Sequence, residues 1–310
     1  MNLNEFVQFT ILGLTRGSLY ALIALGYTLV YGVLQLINFA HSEVFMMGAF
    51  GGLIGIQALI GANATLMPVG QALIYLVVGM VFGAVFGAVT AWVLERVAYR
   101  PLRRRGAPRL AFLISAIGAS FFLQNLAGKE FGRLPQYFPA FIDKSQPVFQ
   151  IGNQRMNLIQ VIIIFSAVAM MIGLDLIVRK TKLGQGIRAV AQDAQTAALM
   201  GVDIDRTISR TFVIGGLLGG AAGFLFGMFA NVSFNMGFLP GVKAFAAAVL
   251  GGIGNIRGAM LGGLLLGLVE NWAVLFIDIK WTDVIAFVVL VLVLMFRPSG
   301  LLGERLGRAA

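Results

Sequence analysis

The sequence has 310 residues, of which 59% are hydrophobic and only 12% are charged. Soluble domains carry about 25% charged residues, so this composition excludes an ordinary soluble protein and favours a chain whose surface is solvated by lipid. The absence of cysteine and the single histidine exclude disulfides, thiolate chemistry and a multi-histidine metal site. The net charge of +10 does not indicate nucleic-acid binding, because the basic residues cluster in short gaps between apolar runs.

Apolar runs recur along the whole chain, and a membrane-spanning helix needs about 20 mainly apolar residues. The sequence predicts spanning helices over residues 6–34, 37–60, 69–95, 110–127, 157–178, 209–230, 258–277 and 282–297, with a shorter ninth run over 242–256. No soluble domain fits between these runs. We therefore expect an all-α, polytopic transmembrane helix bundle of eight or nine membrane segments, forming a single domain over residues 1–310. The first residues lack the basic stretch of a secretory signal, so the first run is expected to remain as a helix.

A polar hexad, residues 38–43 with the sequence NFAHSE, stands at the start of the second apolar run. Polar and charged residues inside a membrane usually face the protein interior or a water-filled path. We therefore predict that this hexad lines or gates a translocation pathway through the side chains of Asn38, His41, Ser42 and Glu43. The alternative is a structural role, in which Asn38 and Ser42 satisfy unpaired groups at the helix end.

The positions of Lys and Arg between the runs predict the orientation of the chain in the membrane. Basic residues crowd the loop around residues 96–109, the loop over residues 179–210 and the tail, which contains Arg297, Arg305 and Arg308. All three regions should be cytoplasmic, with the stretch 128–156 outside. We therefore expect the N-terminus outside and the C-terminus in the cytoplasm, and the parity of the crossings requires the short run 242–256 to cross as well.

The loop over residues 179–210 is longer than two neighbouring membrane helices require. Residues 189–200 have a helix-forming composition, and Gly201 is suited to cap the end of that helix. A short helix with a mixed apolar and polar face is typical of a segment that docks into a groove on a partner. The alternative is an interfacial helix that lies on the lipid surface.

The run over residues 242–256 is too short to span as a plain helix and ends in the glycine-rich stretch GGIGN. By the predicted topology it enters the membrane from outside, whereas the hexad enters from the cytoplasm. Interrupted segments at corresponding places of two halves are typical of an inverted repeat around a central pathway, which we expect here. Glycine ladders at four-residue spacing predict close helix packing at residues 79–87, 215–227 and 254–262.

Several functions are disfavoured by what the sequence lacks. No GxxxxGK[ST] motif occurs, so the chain does not bind ATP phosphates by that device. With one histidine and no cysteine, nucleophilic catalysis has few candidate groups, and we expect no enzyme activity, no cofactor and no metal. Two charged residues within apolar runs, Arg16 and Glu270, are expected to pair or to extend towards the membrane surface.

Five stretches of the sequence stand out together, in this order. They are GYTLVYG at 26–32 leading into INFAH at 37–41, ERVAYRPLR at 95–103, LISAIG at 113–118, RAVAQD at 188–193, and KAF at 243–245 followed by AVLGGIG at 248–254. Taken together, they resemble the inner-membrane permeases of bacterial branched-chain amino-acid ABC importers. Ser42 departs from the pattern, because that family commonly has glycine after the histidine.

The resemblance implies a non-catalytic permease subunit that moves branched-chain or other small neutral amino acids across the bacterial inner membrane by alternating access. It implies as partners a second homologous permease subunit, two cytoplasmic ATP-binding subunits and a periplasmic solute-binding protein, besides membrane lipid and without nucleic acid. The substrate stays open among leucine, isoleucine, valine, other amino acids, urea and short amides. The composition leaves two other functions open, which are an ion-coupled secondary transporter or channel for small polar solutes and a membrane scaffold.

The resemblance also identifies the loop 179–210 as the coupling segment that contacts the ATP-binding subunits. Residues 195–201 are similar to a degenerate form of the E-A-A-x-x-x-G coupling signature, with Gln195 in place of glutamate and Thr196 before the alanine. Ala197 and Gly201 are the positions that match. The coupling residues expected in this loop are Arg188, Asp193, Ala197, Ala198, Gly201 and Asp203.

Overall fold

A computed structural model describes residues 3–62, 64–151, 154–297 and 299–303, and it shows a bundle of α-helices. The helices of these residues are α1 Leu3–Leu34, α2 His41–Ile60, α3 Val69–Leu94, α4 Arg100–Arg104, α5 Arg109–Glu130, α6 Leu158–Lys180, α7 Lys182–Gln192, α8 Ala194–Leu199, α9 Ile204–Phe229, α10 Phe238–Gly251, α11 Ile256–Ala273 and α12 Thr282–Phe296. A π-helical turn, Glu95–Tyr99, joins α3 to α4 and makes Val69–Arg104 one continuous helix. Arg305 and Arg308 of the predicted basic tail lie outside the described residues.

Within these ranges, seven helices are long and apolar enough to cross a membrane by length and composition. These spans contain α1, α2, α3, α5, α6, α9 and α12. The short run predicted over 242–256 forms α10, of 14 residues, and α11 has 18 residues. Each of the nine predicted segments therefore corresponds to a helix, and the predicted all-α polytopic bundle is confirmed.

Two local predictions are wrong. The second segment does not begin at residue 37, because the backbone leaves the helical conformation at Gln35, with φ of 51°, and α2 begins only at His41. The helix predicted over 189–200 is interrupted at Asp193, which is extended with φ of −157°. The carboxylate of Asp193 accepts hydrogen bonds from the amides of Gln195 and Thr196, so it begins a new helix, α8, and does not continue α7.

The stretch expected outside, 128–156, contains a short antiparallel pair of strands, β1 Pro147–Ile151 and β2 Gln154–Asn157. In the same stretch, Gln136 exchanges two backbone hydrogen bonds of 2.7 and 2.8 Å with Val232, which precedes α10. The loop after α5 and the loop after α9 therefore lie on the same side of the bundle, as the predicted parity of crossings requires.

The centre of the bundle consists of α1, α2 and α9. In an apolar stretch of 18 residues from each of these helices, 83%, 72% and 72% of the residues are buried. In the corresponding stretches of α5, α6 and α12 only 22%, 22% and 6% are buried. The outer helices expose large apolar side chains such as Ile114, Phe122, Phe165 and Val291. Lipid or a partner subunit must cover this surface, because in water it would form aggregating patches.

Glycines hold α3 against α9 and α1 against α11 at very short distances. A Cβ added to Gly87 would lie 2.7 Å from the Cα of Gly220, and one added to Gly13 would lie 3.0 Å from the Cα of Leu268. These contacts confirm that the glycines serve close packing of helix backbones. In the third ladder only Gly258 and Gly262 are helical, because Gly254 lies in the turn before α11.

The two halves of the chain pack their helices in the same pattern, with the helix directions inverted. Helix α1 packs along α11 as α9 packs along α3, and α2 packs against α3 and α9 as α10 packs against α11 and α1. The pattern matches α1 with α9, α2 with α10, α3 with α11 and α5 with α12. Along the nine segments each match joins an odd crossing to an even one, so matched helices run in opposite directions. This arrangement supports the predicted inverted repeat.

Candidate functional site

The polar hexad lies in the interior of the bundle, where the chain turns from α1 into α2. The side chains of its four predicted pathway residues are all buried, since Asn38, His41, Ser42 and Glu43 are only 3%, 1%, 5% and 1% exposed. The structure thus brings the four predicted residues together in one buried cluster. A narrow cleft adjoins this cluster at Asn38 and is lined also by Tyr27, Tyr31, Phe245 and Ile253.

Glu43 places a carboxylate where two helices begin. Its Oε1 accepts a hydrogen bond of 3.2 Å from Ser120 of α5, and its Oε2 has no partner among the described residues. A Cβ added to Gly237, at the start of α10, would lie 3.0 Å from that Oε2. Neither α2 nor α10 has a side-chain cap. The positive ends of two helix dipoles therefore face one buried carboxylate.

The structural alternative, in which Asn38 and Ser42 satisfy unpaired groups at the helix end, fits Ser42 but not Asn38. The Oδ1 of Asn38 accepts a hydrogen bond of 2.6 Å from the hydroxyl of Tyr99 and does not contact the first amides of α2. The hydroxyl of Ser42 donates to the carbonyl of Phe39 at 2.8 Å. Both side chains therefore tie the non-helical turn to its surroundings.

His41 fills a space that glycines leave open. Its ring meets the ring of Tyr27 edge to face, with centroids 4.8 Å apart, and its Nε2 has no hydrogen-bond partner among the described residues. A Cβ added to Gly219 of α9 would lie 3.3 Å from this ring. The imidazole thus sits between α1 and α9 with one polar nitrogen available to a ligand or water.

A charge triad of the buried Lys243 and Glu270 and the half-exposed Asp283 lies between α10, α11 and α12. The Nζ of Lys243 is 2.7 Å from Glu270 and 2.5 Å from Asp283. The hydroxyl of Tyr20 reaches Glu270 at 3.5 Å. Glu270 is thus paired, as the sequence analysis expected, whereas no ion pair of the half-buried Arg16 occurs in the described residues. Sequence reasoning missed Lys243 and Asp283, although a lysine inside the shortest apolar run is itself a signal.

The predicted coupling residues lie around α8 and its two ends. Asp193 caps the start of α8, and hydrogen bonds from the Thr196 hydroxyl and the amides of Thr196 and Gln195 hold the pKa of its carboxyl below its ordinary value. Ala197 is buried, whereas Ala198 is exposed. Gly201 follows α8 with φ of 85°, a conformation that glycine adopts easily.

The other two predicted coupling residues, Arg188 and Asp203, act within the chain. Arg188 donates a hydrogen bond to the carbonyl of Val178, and Asp203 caps α9 by accepting from the amide of Arg206 at 3.0 Å. Sequence reasoning missed the neighbouring pair Leu199 and Met200, which are 88% and 81% exposed. Two adjacent exposed apolar side chains at the end of a short helix are typical of a surface that docks into a groove on a partner.

The chain is similar to a family described as branched-chain amino acid transport system, permease component, which it matches over residues 9–294. It is 41% identical over 305 residues to the high-affinity branched-chain amino acid transport system permease protein LivH of Salmonella typhimurium, with 96% of each chain covered. It is 42% identical over 306 residues to the corresponding permease protein BraD of Pseudomonas aeruginosa, covering 97% of this chain and 96% of the relative.

A more distant relative comes from Methanocaldococcus jannaschii. The chain is 26% identical over 298 residues to its probable branched-chain amino acid transport permease protein LivH, covering 92% of this chain and 89% of the relative. No solved structure matches the chain significantly.

Proposed function

We propose, from the premise that this chain belongs to the family of branched-chain amino acid transport system permease components, that it imports branched-chain amino acids as half of an ABC importer's membrane channel. The chain is a non-catalytic, multi-pass subunit of the inner membrane. The observation that carries the proposal is the family match over residues 9–294, which includes every helix of the inverted repeat except the outermost ends of α1 and α12.

The proposed partners are a second homologous permease subunit, two cytoplasmic ATP-binding subunits and a periplasmic solute-binding protein. The weakly buried helices α5, α6 and α12 leave ample apolar surface for a second permease. Purification of the tagged chain from native membranes tests the partners directly. We expect it to recover a second permease and ATP-binding subunits whose ATP hydrolysis rises with the binding protein and leucine.

The polar hexad is the proposed gate of the pathway. It supplies polar side chains at the point where α2 and α10, the matched interrupted helices, begin against each other. Both helices begin inside the bundle, and their first residues face each other. A small relative movement of α2 and α10 would therefore open the bundle at this point. Buried and unpaired atoms of His41 and Glu43 would then become partners for a zwitterionic amino acid.

The coupling segment, α7 and α8 with residues 200–203, is the proposed contact with an ATP-binding subunit. Its exposed tip is formed by Ala198, Leu199 and Met200, and the left-handed Gly201 turns the chain back into α9. ATP-driven movement of the partner would therefore pull directly on the first turn of α9. With this segment in the cytoplasm, the N-terminus lies outside and the C-terminus inside.

An ion-coupled secondary transporter is the second candidate, and the buried ion pair of Lys243 and Glu270 within the charge triad is the observation that favours it. The two candidates differ in their energy source. Liposomes that contain the chain alone should take up leucine along an ion gradient if the second candidate holds. If the first holds, uptake should require the ATP-binding subunits, the binding protein and ATP.

A further inference from the structure

The π-helical turn Glu95–Tyr99 lies between the polar hexad and the start of α9. Single π-helical turns within α-helices are rare, bend the helix and recur at functional sites. Here the last residue of the turn, Tyr99, is 1% exposed and donates the hydrogen bond of 2.6 Å that holds Asn38. Its ring packs against that of Phe212 in α9, with centroids 5.3 Å apart. One end of the turn is therefore fixed to the hexad.

The first residue of the turn, Glu95, is fixed to α9 and α4. Its carboxylate is fully buried and accepts a hydrogen bond of 2.5 Å from the hydroxyl of Ser209. The same carboxylate is 3.3 Å from Arg100 and 3.2 Å from Arg103. Removing one partner from a buried charged cluster leaves an uncompensated charge, so these groups are expected to move together.

Arg103 extends the cluster to the coupling segment. It is 2.5 Å from the carboxylate of Asp205, which Arg104 also contacts at 2.8 Å. Asp205 lies in the first turn of α9, two residues after Asp203, the cap that follows the coupling segment. A continuous set of polar contacts thus runs from the end of the coupling segment, through Asp205, Arg103 and the π-helical turn, to the hexad.

We propose that Glu95 and Tyr99 are positioning residues that transmit displacement of the coupling segment to Asn38. Movement of the first turn of α9 carries Arg103 and Glu95 with it. Because the π-helical turn is held at both ends, this movement shifts Tyr99 and with it the non-helical turn before α2. The inference rests on the proposed function and adds to it the path by which ATP hydrolysis reaches the gate.

The test is Tyr99→Phe in the complete complex with its partner subunits, reconstituted in liposomes with the solute-binding protein. The substitution keeps the buried ring and removes only the hydroxyl that holds Asn38. ATP hydrolysis and leucine uptake are measured in the same vesicles. We expect hydrolysis to stay close to the unmodified level while uptake per ATP falls about fivefold to tenfold, a typical size for coupling between two sites.

Tyr75→Phe is the matched control, because Tyr75 lies on the same long helix and makes no hydrogen bond in the residues described. It should leave both rates unchanged. Ser209→Ala removes the direct hydrogen bond from α9 to Glu95 and keeps the link through Arg103 and Asp205, so it should lower uptake per ATP less than Tyr99→Phe does. Combining the two changes should lower the ratio no further than Tyr99→Phe alone.

An unchanged ratio in Tyr99→Phe overturns the inference, as does an equal loss of hydrolysis and uptake, which indicates a merely structural role. Failure of the proposed function gives a different result, because the unmodified complex would then show no uptake driven by ATP.

Discussion

Glu43 carries a carboxylate into the centre of the bundle, where the uncapped starts of α2 and α10 face it. Glu43→Gln keeps the shape and the hydrogen bond from Ser120 but removes the carboxylate proposed to meet the amino group of the substrate when the gate opens. We expect leucine uptake to fall about tenfold, the size of one hydrogen bond to a charged group. The melting temperature in detergent should change little, because the amide has the same shape and leaves no buried charge unpaired.

The control for this substitution is Glu130→Gln at the exposed end of α5, which should alter neither property. A variant of Glu43 that unfolds without a separable loss of uptake would instead assign this carboxylate to the fold alone.

Lys243 is 4% exposed and pairs with the buried carboxylate of Glu270 and the half-exposed carboxylate of Asp283. Lys243→Met leaves Glu270 buried without a cation, which costs about 3–5 kcal/mol. We expect a clear drop in the melting temperature of the purified chain. The double variant Lys243→Met, Glu270→Gln should recover part of it, since both charges of the buried pair are then gone.

The exposed Lys280 supplies the comparison, because Lys280→Met removes a lysine of the same length without uncovering a buried charge. If this variant loses as much stability as Lys243→Met, the triad does not contribute what its burial implies.

The helices themselves could be predicted because each depends mainly on the length and apolarity of its own residues. The interruptions could be predicted only in part. The hexad predicted a polar start for α2. The break at Gln35, however, depends on a positive φ that no sequence pattern indicated. The split at Asp193 follows from an aspartate that caps α8, a signal that was present in the sequence and was outweighed by helix propensity.

At the scale of elements, α8 ends in an exposed apolar tip at Leu199 and Met200, which is the proposed contact with an ATP-binding subunit. Leu199→Glu places a charge at the proposed contact and is sharper than Gly201→Trp, because Gly201 has φ of 85° and a larger residue there would strain the backbone. We expect Leu199→Glu to abolish uptake and to reduce recovery of the ATP-binding subunits, with normal expression. Leu134→Glu, at a loop position that is 81% exposed, should leave both unchanged.

The contact of α3 with α9 depends on glycine at defined positions. Gly87→Ala would place its Cβ 2.5 Å from the carbonyl oxygen of Gly216 and 2.7 Å from the Cα of Gly220, and backbone atoms cannot rotate away. We expect it to destabilise the bundle by about 1–3 kcal/mol in thermal unfolding. Gly118→Ala on α5, where no atom lies near the added Cβ, should be neutral or stabilising, because alanine favours helix more than glycine.

At the scale of the whole molecule, composition and hydropathy were sufficient for a polytopic bundle, and motif order was sufficient for the family. The interrupted segments already suggested that α2 corresponds to α10, but the matching of α1 with α9 and of α3 with α11 appears only when contacts between distant helices are known. The charge triad and the path through the π-helical turn likewise depend on contacts between residues that are far apart in the sequence. Lys243 and Glu270 are 27 residues apart, and Glu95 and Ser209 are 114 apart, so no local pattern relates them.

The proposed orientation of the bundle rests on its basic loops, and the absence of cysteine makes the orientation directly measurable. Leu134→Cys and Leu199→Cys each introduce one thiol at a position that is more than four-fifths exposed, the first in the loop before β1 and the second at the last residue of α8. In intact spheroplasts, a membrane-impermeant maleimide should label the L134C variant at once and the L199C variant only after lysis. The reverse pattern would place the coupling segment outside, where no ATP-binding subunit can reach it, and would refute both the orientation and the coupling role.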